Sequence, residues 1–446
     1  MTLSDAARGR RVLFLTSSFP RWVGDGVTPF IGNLAQDLTE LGWSIDILAP
    51  HAPGAAISET LYDLPVRRFR YWPTAGGQSL CYNGGALANL RASRSNYVKA
   101  PALVASQFLA TFGLALRNRY DLIHAHWLLP QGFTAGLAGR LTGIPVVTTL
   151  HGGDAFALKG AVMSSFKSFS LGLCDAVTVN SSATEAAVLP LMPQGRLPVR
   201  IPMGACSPGR DDAAVEGLRA SFGPGAFILL FVGRLVPEKG AEDLLRALPA
   251  ILRDVPSARC VLVGDGPQRG ALEDLASTLG VSRRVTFTGW LDASRLASWL
   301  HAADLFVGPS KNAPDGWVEA QGLTFAEAML AGTCVLATRS GGIPDTVLDD
   351  ETGVLVAPGR PDHLARAVGE LAGDPIRRAR LAKSGEEFAR RFLTRPRSAR
   401  AFSELYESLT SDNPAPAAAG EHPATTYHAT LRTQTQVAPS TTEPGP

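Results

Sequence analysis

The sequence predicts two doubly wound α/β domains in series, facing one another across a cleft. The chain has 446 residues, more than one ordinary hydrophobic core organises. Short apolar runs alternate with amphipathic segments of helical period, the rhythm of parallel strands joined by helices. That rhythm stops in the Pro- and Gly-rich stretch "VRIPMGACSPGR", residues 199–210, and then starts again.

In the first half, "RVLFLTSSF" reads as the opening strand. "TPFIGNLAQDLTELG" repeats apolar residues at Phe30, Leu34, Leu38 and Leu41 and stops at Gly42, a helix with its usual terminator. "SIDILAP", "DLIHAHW", "PVVTTLHGGD" and "DAVTVNS" read as further strands, each ending in polar residues. In the second half the strands are "FILLFVGRL", "ARCVLVGDGP", "RVTFTGW", "DLFVGPS" and "CVLATRSGG". Between them lie the helices "GAEDLLRALPAILRD", "RGALEDLASTLG", "ASRLASWLHAA" and "LTFAEAMLAG". Residues 1–205 therefore form an N-terminal domain and 206–386 a C-terminal one. Residues 387–410 read as a helix, interrupted at Pro396, that packs back toward the first domain. Residues 411–446 turn to Ala, Pro, Thr and Gly and read as a disordered tail.

A net charge of only +2 excludes bulk nucleic-acid binding. Five scattered cysteines without a C-x-x-C pair argue against disulfides or a zinc site, and fit a reducing cytoplasm. The apolar run near the N-terminus is too short for a secretory signal. The run Ala100–Leu116 is marginal for a spanning helix and reads as a buried or interfacial one. The charge is uneven: residues 1–205 carry 17 Lys and Arg against 11 acids, and 206–446 carry 25 against 29. Within 62–119, eight basic residues stand against Asp63 alone, interleaved with Phe69, Tyr71, Trp72, Tyr82 and Tyr97. Such a stretch is either a solvated face or a peripheral contact with anionic lipid at the inner face of a membrane.

The chemistry concentrates in the second half. "FVGRLVPEKG" places Arg234 just past a strand and Lys239 five residues on, a guanidinium and an ammonium suited to a diphosphate. "VLVGDGP" is a Gly-rich strand exit at Gly264. It lacks the G-x-G-x-x-G spacing, and the sequence has no P-loop, so dehydrogenase and P-loop NTPase readings fall away. In "WVEAQGLTFAEAML", Glu319 and Glu327 enclose seven residues, and Gly322 precedes a helix. The free N–H groups of Leu323 and Thr324 at its start favour a phosphate. Glu327, a turn inside, suits the paired hydroxyls of a ribose, and Glu319 the hydroxyls of a sugar beyond the phosphates. Trp290 in "FTGWLD" stands where a base could be read by nearby backbone groups, and core packing is the favoured reading.

E-x₇-E preceded by "GRLVPEKG" and "LVGDGP", in this order and spacing, resembles the retaining glycosyltransferases of family 4, over roughly residues 10–410. The segment around "DGWVEAQGLTFAEAMLAGTCVLATRSGGIPD" is most similar to bacterial members that build exopolysaccharide, lipopolysaccharide and glycolipid. The resemblance implies the GT-B fold, two Rossmann-like domains across a cleft. It implies transfer of a hexose from GDP-mannose or a UDP-hexose to a glycan or lipid-linked acceptor, with retention at the anomeric carbon. It implies no cofactor beyond the nucleotide sugar, and no D-x-D metal motif stands where one would be expected. Ala320 and Gln321 depart from the Gly and Phe of many members. "TSSFPRWVGDGVTPF" resembles the family's glycine loop, in which Gly24 and Gly26 let backbone approach the donor phosphates or acceptor. By the same resemblance, "HAHW" and "HGGD" line the acceptor side, with His126 and His151 in the cleft and Asp154 near the reacting sugar. His124 is expected to face away from His126. A nucleotide-sugar epimerase of the same fold, or a silent sugar-nucleotide binder, would share the donor site.

Overall fold

A computed structural model describes residues 10–411, apart from 83–84, 87–88, 91–92 and 314–315. The expected tail beyond Ser411, and Arg91 of the basic stretch, lie outside the described residues. The first sheet holds β1 (Arg11–Leu15), β2 (Ser44–Pro50), β3 (Ser58–Leu61), β4 (Leu64–Phe69), β5 (Leu122–His126), β6 (Val146–Leu150), β7 (Ala176–Val179) and β8 (Val199–Arg200). Its order is β3-β4-β2-β1-β5-β6-β7-β8, parallel throughout except where β3 runs against β4 at the edge. The second sheet holds β9 (Phe227–Val232), β10 (Ala258–Val263), β11 (Val285–Gly289), β12 (Leu305–Gly308), β13 (Val335–Thr338) and β14 (Val354–Val356), in the order β11-β10-β9-β12-β13-β14, all parallel.

Helices cover both faces of each sheet, so the central strands are apolar on both sides, as in "VLFL" and "FILLF". On one face of the first sheet lie the helices Asn96–Arg117, Phe133–Thr142 and Ala161–Leu173, packed through Leu103, Ala135 and Leu171. On the other lie Pro29–Glu40 and the last helix, Arg395–Thr410, whose Phe402 and Tyr406 are wholly enclosed.

Strand order reverses beside β1, which separates β2 from β5, and beside β9, which separates β10 from β12. In open parallel sheets, ligands bind at the carboxyl ends of the strands flanking such a reversal. The residues picked out from the sequence sit on the exits of β1, β5 and β6 in one domain and of β9, β10 and β12 in the other.

Three expectations are corrected. The C-terminal segment is two helices, Pro375–Phe392 and Arg395–Thr410, and the break falls at Leu393–Thr394, not at Pro396. Pro396 lies in the first turn of the second helix, where a missing N–H costs nothing. Phe388, Ala389 and Phe392 belong to the second domain's core, so only the last helix returns to the first domain. The aromatic residues of the basic stretch do not form one surface: Phe69, Tyr71 and Tyr82 are buried, Trp72 is half-buried and only Tyr97 is exposed, while Arg68 is buried between Glu59 and the Pro20 carbonyl. Trp290 is not core: it is 66% exposed at the exit of β11.

Candidate active site

The exits of β9, β10 and β12 are drawn together by missing side chains. A Cβ at Gly264 would sit 2.0 Å from the Gly233 carbonyl oxygen, and one at Gly240 1.8 Å from that of Pro309. Both glycines have positive φ, so the close approach and the turn each require glycine. The loop carrying Arg234 and Lys239 is thereby pressed onto the end of β12, and Lys239 donates directly to the carboxylate of Glu319. The Lys239 ammonium also stands 5.8 Å over the Trp317 ring. Arg234 is exposed and has no side-chain partner among the described residues.

Gly322, at φ +79°, turns the chain into the helix Leu323–Leu330, and a Cβ there would lie 2.3 Å from the Phe325 ring. The first N–H groups of that helix, at Leu323 and Thr324, have no acceptor among the described residues. Glu327 is half-buried, without a hydrogen bond or ion pair among the described residues. Burial pushes its carboxyl up to about 7. The second domain thus presents a free guanidinium, a paired ammonium, a bare helix start and an unpartnered carboxylate.

In the first domain, His126 Nδ1 and His151 Nε2 lie 3.1 Å apart, and His126 Nε2 is buried with no partner among the described residues. His151 packs at 5.0 Å from both Phe30 and Trp127 and remains partly open. Burial holds His126 well below the usual imidazole range and brings His151 to about 3, so both rings are neutral near pH 7.

His124 does not face away from His126: their ring centroids are 4.2 Å apart. Side chains two residues apart on a strand share a face, and the contrary expectation misapplied that period. His124 is closed off by the Tyr406 hydroxyl at 2.5 Å and the Thr149 hydroxyl at 2.6 Å. Asp154 points into the protein. Its carboxylate accepts the N–H of Leu128 at 2.8 Å and of His151 at 3.2 Å, tying the exit of β5 to that of β6. Gly24 and Gly26 face open space, with nothing within 4 Å of where a Cβ would stand, and no described contact joins them to Arg234 or Lys239.

Contacts across the cleft were absent from the sequence reading. The Gln321 amide accepts from Met203 N at 2.9 Å and donates to Met203 O at 2.7 Å. Asp345 accepts from the Ser182 hydroxyl at 2.8 Å and from its N–H, capping the helix Ser182–Val188 from the other domain. Gly152 meets Ala320 so closely that a Cβ would lie 2.4 Å from Ala320 Cβ. The two departures from the family pattern, Ala320 and Gln321, are therefore both domain contacts.

Two family models match in tandem: "Glycosyl transferase 4-like domain" over residues 25–204 and "Glycosyl transferases group 1" over 219–388. A GDP-mannose-dependent alpha-(1-6)-phosphatidylinositol monomannoside mannosyltransferase of Mycolicibacterium smegmatis is 39% identical over 181 residues, 40% of this chain and 47% of that one. The chain thus spans about half the length of that relative. D-inositol 3-phosphate glycosyltransferase 2 of Catenulispora acidiphila is 29% identical over 86% of this chain and 91% of its own. The solved structure of Anabaena HepE in complex with UDP and glucose superposes with a TM-score of 0.68 at 23% identity, over 90% of this chain and all of that one. With one family model on each domain and this fold beneath them, the chain belongs to glycosyltransferase family 4 and has the GT-B architecture.

Proposed function

We propose that this protein transfers a hexose from a nucleoside diphosphate sugar to a lipid-linked or glycan acceptor, with retention at the anomeric carbon. The observation that carries the reading is the Lys239–Glu319 pair, set beside the unpartnered Arg234 and Glu327 at one strand-order reversal. Arg234, Lys239 and the N–H groups of Leu323 and Thr324 hold the diphosphate. Glu327 accepts from the ribose hydroxyls, and Glu319 turns from Lys239 to the hydroxyls of the sugar.

In the transfer, the bond from the anomeric carbon to the diphosphate oxygen breaks. A bond to the acceptor oxygen forms on the same face, and the acceptor proton passes to the departing phosphate. The chain's part is positioning and stabilisation of the growing phosphate charge. The neutral His151, the partly open ring of the pair, hydrogen-bonds a sugar hydroxyl rather than moving a full charge, with the buried His126 behind it. Two cations and a helix start supply the positive charge, so the reaction proceeds without a metal. GDP-mannose, named for the mycobacterial relative, is the first donor to try, and UDP-glucose the second.

The deciding experiment is calorimetry with GDP, UDP, GDP-mannose, UDP-glucose and UDP-N-acetylglucosamine, on the wild type and on Glu327→Ala and Lys239→Ala. Binding of one base, with a loss of about 1.5–3 kcal/mol in each variant, supports the donor site. Wild-type-like binding in both variants would remove it. Product anomeric configuration by NMR tests retention, and transfer in excess chelator tests the metal-free reading.

A further inference from the structure

We propose that the outward face of the helices Asn96–Arg117 and Ala161–Leu173 is a docking face for an anionic lipid surface. The inference deepens the reading of a lipid-linked acceptor, and it is tested separately from nucleotide binding. Both helices carry apolar residues on two sides: Leu103, Ala115 and Leu171 pack into the domain, while other large apolar side chains face outward. The first buries Asn96, Gln107 and Thr111 and leaves Leu109 66% and Leu116 63% exposed. The second buries Lys167 and Ser170, the Lys167 ammonium being held by the Ala155 and Ala157 carbonyls. It turns Val162 outward at 82% exposure and Phe169 at 57%. A surface helix ordinarily buries its apolar stripe. Two neighbours that also leave large apolar side chains outside, both packed against the helix Phe133–Thr142, present an apolar outward face.

The charge around this face is one-sided. Between residues 64 and 174 the acids are Asp121, which stands at the surface and accepts the Arg11 N–H, and Asp154, which is buried. Arg94, Arg117 and Arg119 are exposed and pair with no acid among the described residues. They stand at the two ends of the first helix, so a cationic rim borders an apolar centre, which complements anionic headgroups over acyl chains. The first helix is long and apolar enough to cross a bilayer by length and composition. At mid-length, however, Gln107 donates to the Thr134 hydroxyl at 2.9 Å, which fixes the helix along the domain. It lies on a membrane and does not span one. Helices that precede parallel strands run back against them. The N-terminal ends of both helices therefore lie at the sheet edge from which His126 and His151 emerge, so a docked surface would meet the acceptor side of the cleft.

The test is co-sedimentation of the full chain with phosphatidylcholine vesicles, with and without phosphatidylglycerol. The variants are Leu109→Glu with Phe169→Glu, and Arg117→Glu with Arg119→Glu. These positions are exposed, and nucleotide calorimetry on each variant checks that the cleft is intact. The expected result is partition onto the anionic vesicles that falls at least about tenfold in each double variant, while nucleotide binding is unchanged. The proposal is overturned if the wild type ignores vesicles, or binds neutral and anionic ones equally, or if the variants partition like the wild type. It is also overturned if light scattering shows a wild-type dimer, lost in the Leu109/Phe169 variant, without vesicle binding. Loss of nucleotide binding by the wild type would remove the donor site and leave the vesicle result standing.

Discussion

The ammonium of Lys239, on the loop after β9, donates to the carboxylate of Glu319, on the loop after β12. Two groups expected to hold different parts of one ligand thus hold each other. The pairing keeps a partly buried cation and a nearly buried anion compensated, and on the proposed reading a diphosphate and a sugar would replace each partner. Glu319→Gln should therefore separate the two roles. Nucleoside diphosphate affinity should stay level or rise, because Lys239 is released from its competitor, while the transfer rate falls by about 10²-fold with the loss of a charged contact to the sugar. Lys239→Ala should weaken diphosphate binding by about 1.5–3 kcal/mol. Calorimetry and a transfer assay on the same preparations read both.

Glu327 gives a pH prediction. Its carboxyl is pushed up to about 7 because burial penalises the charge and no partner among the described residues offsets it. A ribose diol is bound by the ionised form, so nucleotide affinity should rise between about pH 5.5 and 8 and then level. Protons should be released on binding below pH 7, measured as a dependence of the calorimetric heat on buffer ionisation enthalpy. The stability effect has the opposite sense. A carboxyl with a raised folded pKa retains protons on folding, so its contribution declines as pH rises from the ordinary glutamate value toward 7. Glu327→Gln should flatten both the affinity profile and that part of the stability profile.

The parallel sheets were legible because strands buried on both faces are continuous apolar runs, as in "FILLFV". β3, with "SETL" at an edge, has no such signature, and β14 is three residues long. The residues proposed for the donor were picked out by type and spacing, since a diphosphate would need cations near a helix start. Their pairing was not: the Lys239–Glu319 bond depends on how closely Gly240 lets one loop approach another. Nor was the Gln321 clasp, whose partner is the backbone of Met203, 118 positions away. The basic stretch misled because composition does not say which side chains turn inward. Tyr71 and Tyr82 are core, whereas Leu109 and Leu116, on a helix that also buries Gln107 and Thr111, face outward.

The domains are held together by a few identifiable bonds, so closure should respond to single changes. Asp345 caps the helix Ser182–Val188 from across the cleft, and charged caps of this kind contribute roughly 1–2 kcal/mol. Asp345→Ala should shift the population toward an open form, raising the radius of gyration in small-angle scattering and raising KM for the donor more than it lowers kcat. Gly152→Ala should act in the same direction by another route, since its Cβ would overlap that of Ala320. A radius of gyration equal to wild type in both variants would show that these contacts do not hold the cleft closed.

The last helix makes a prediction about stability alone. Tyr406 lies wholly inside the first domain, with its hydroxyl on His124 Nδ1, while the Thr149 hydroxyl holds the other ring nitrogen and is itself bonded to Thr178. The imidazole is enclosed and held neutral by burial, so each ring nitrogen needs its partner. Tyr406→Phe keeps the packing and removes one oxygen, which should leave His124 Nδ1 unsatisfied at a cost of about 1–3 kcal/mol. Adding His124→Phe should recover part of that loss, because the paired polar group is then gone as well. Denaturant unfolding of the single and double variants measures the coupling. Nucleotide binding should change little, since the helix start at Leu323 and the cations at Arg234 and Lys239 belong to the other domain. A Tyr406→Phe protein as stable as wild type would mean that this hydroxyl does not anchor the returning helix.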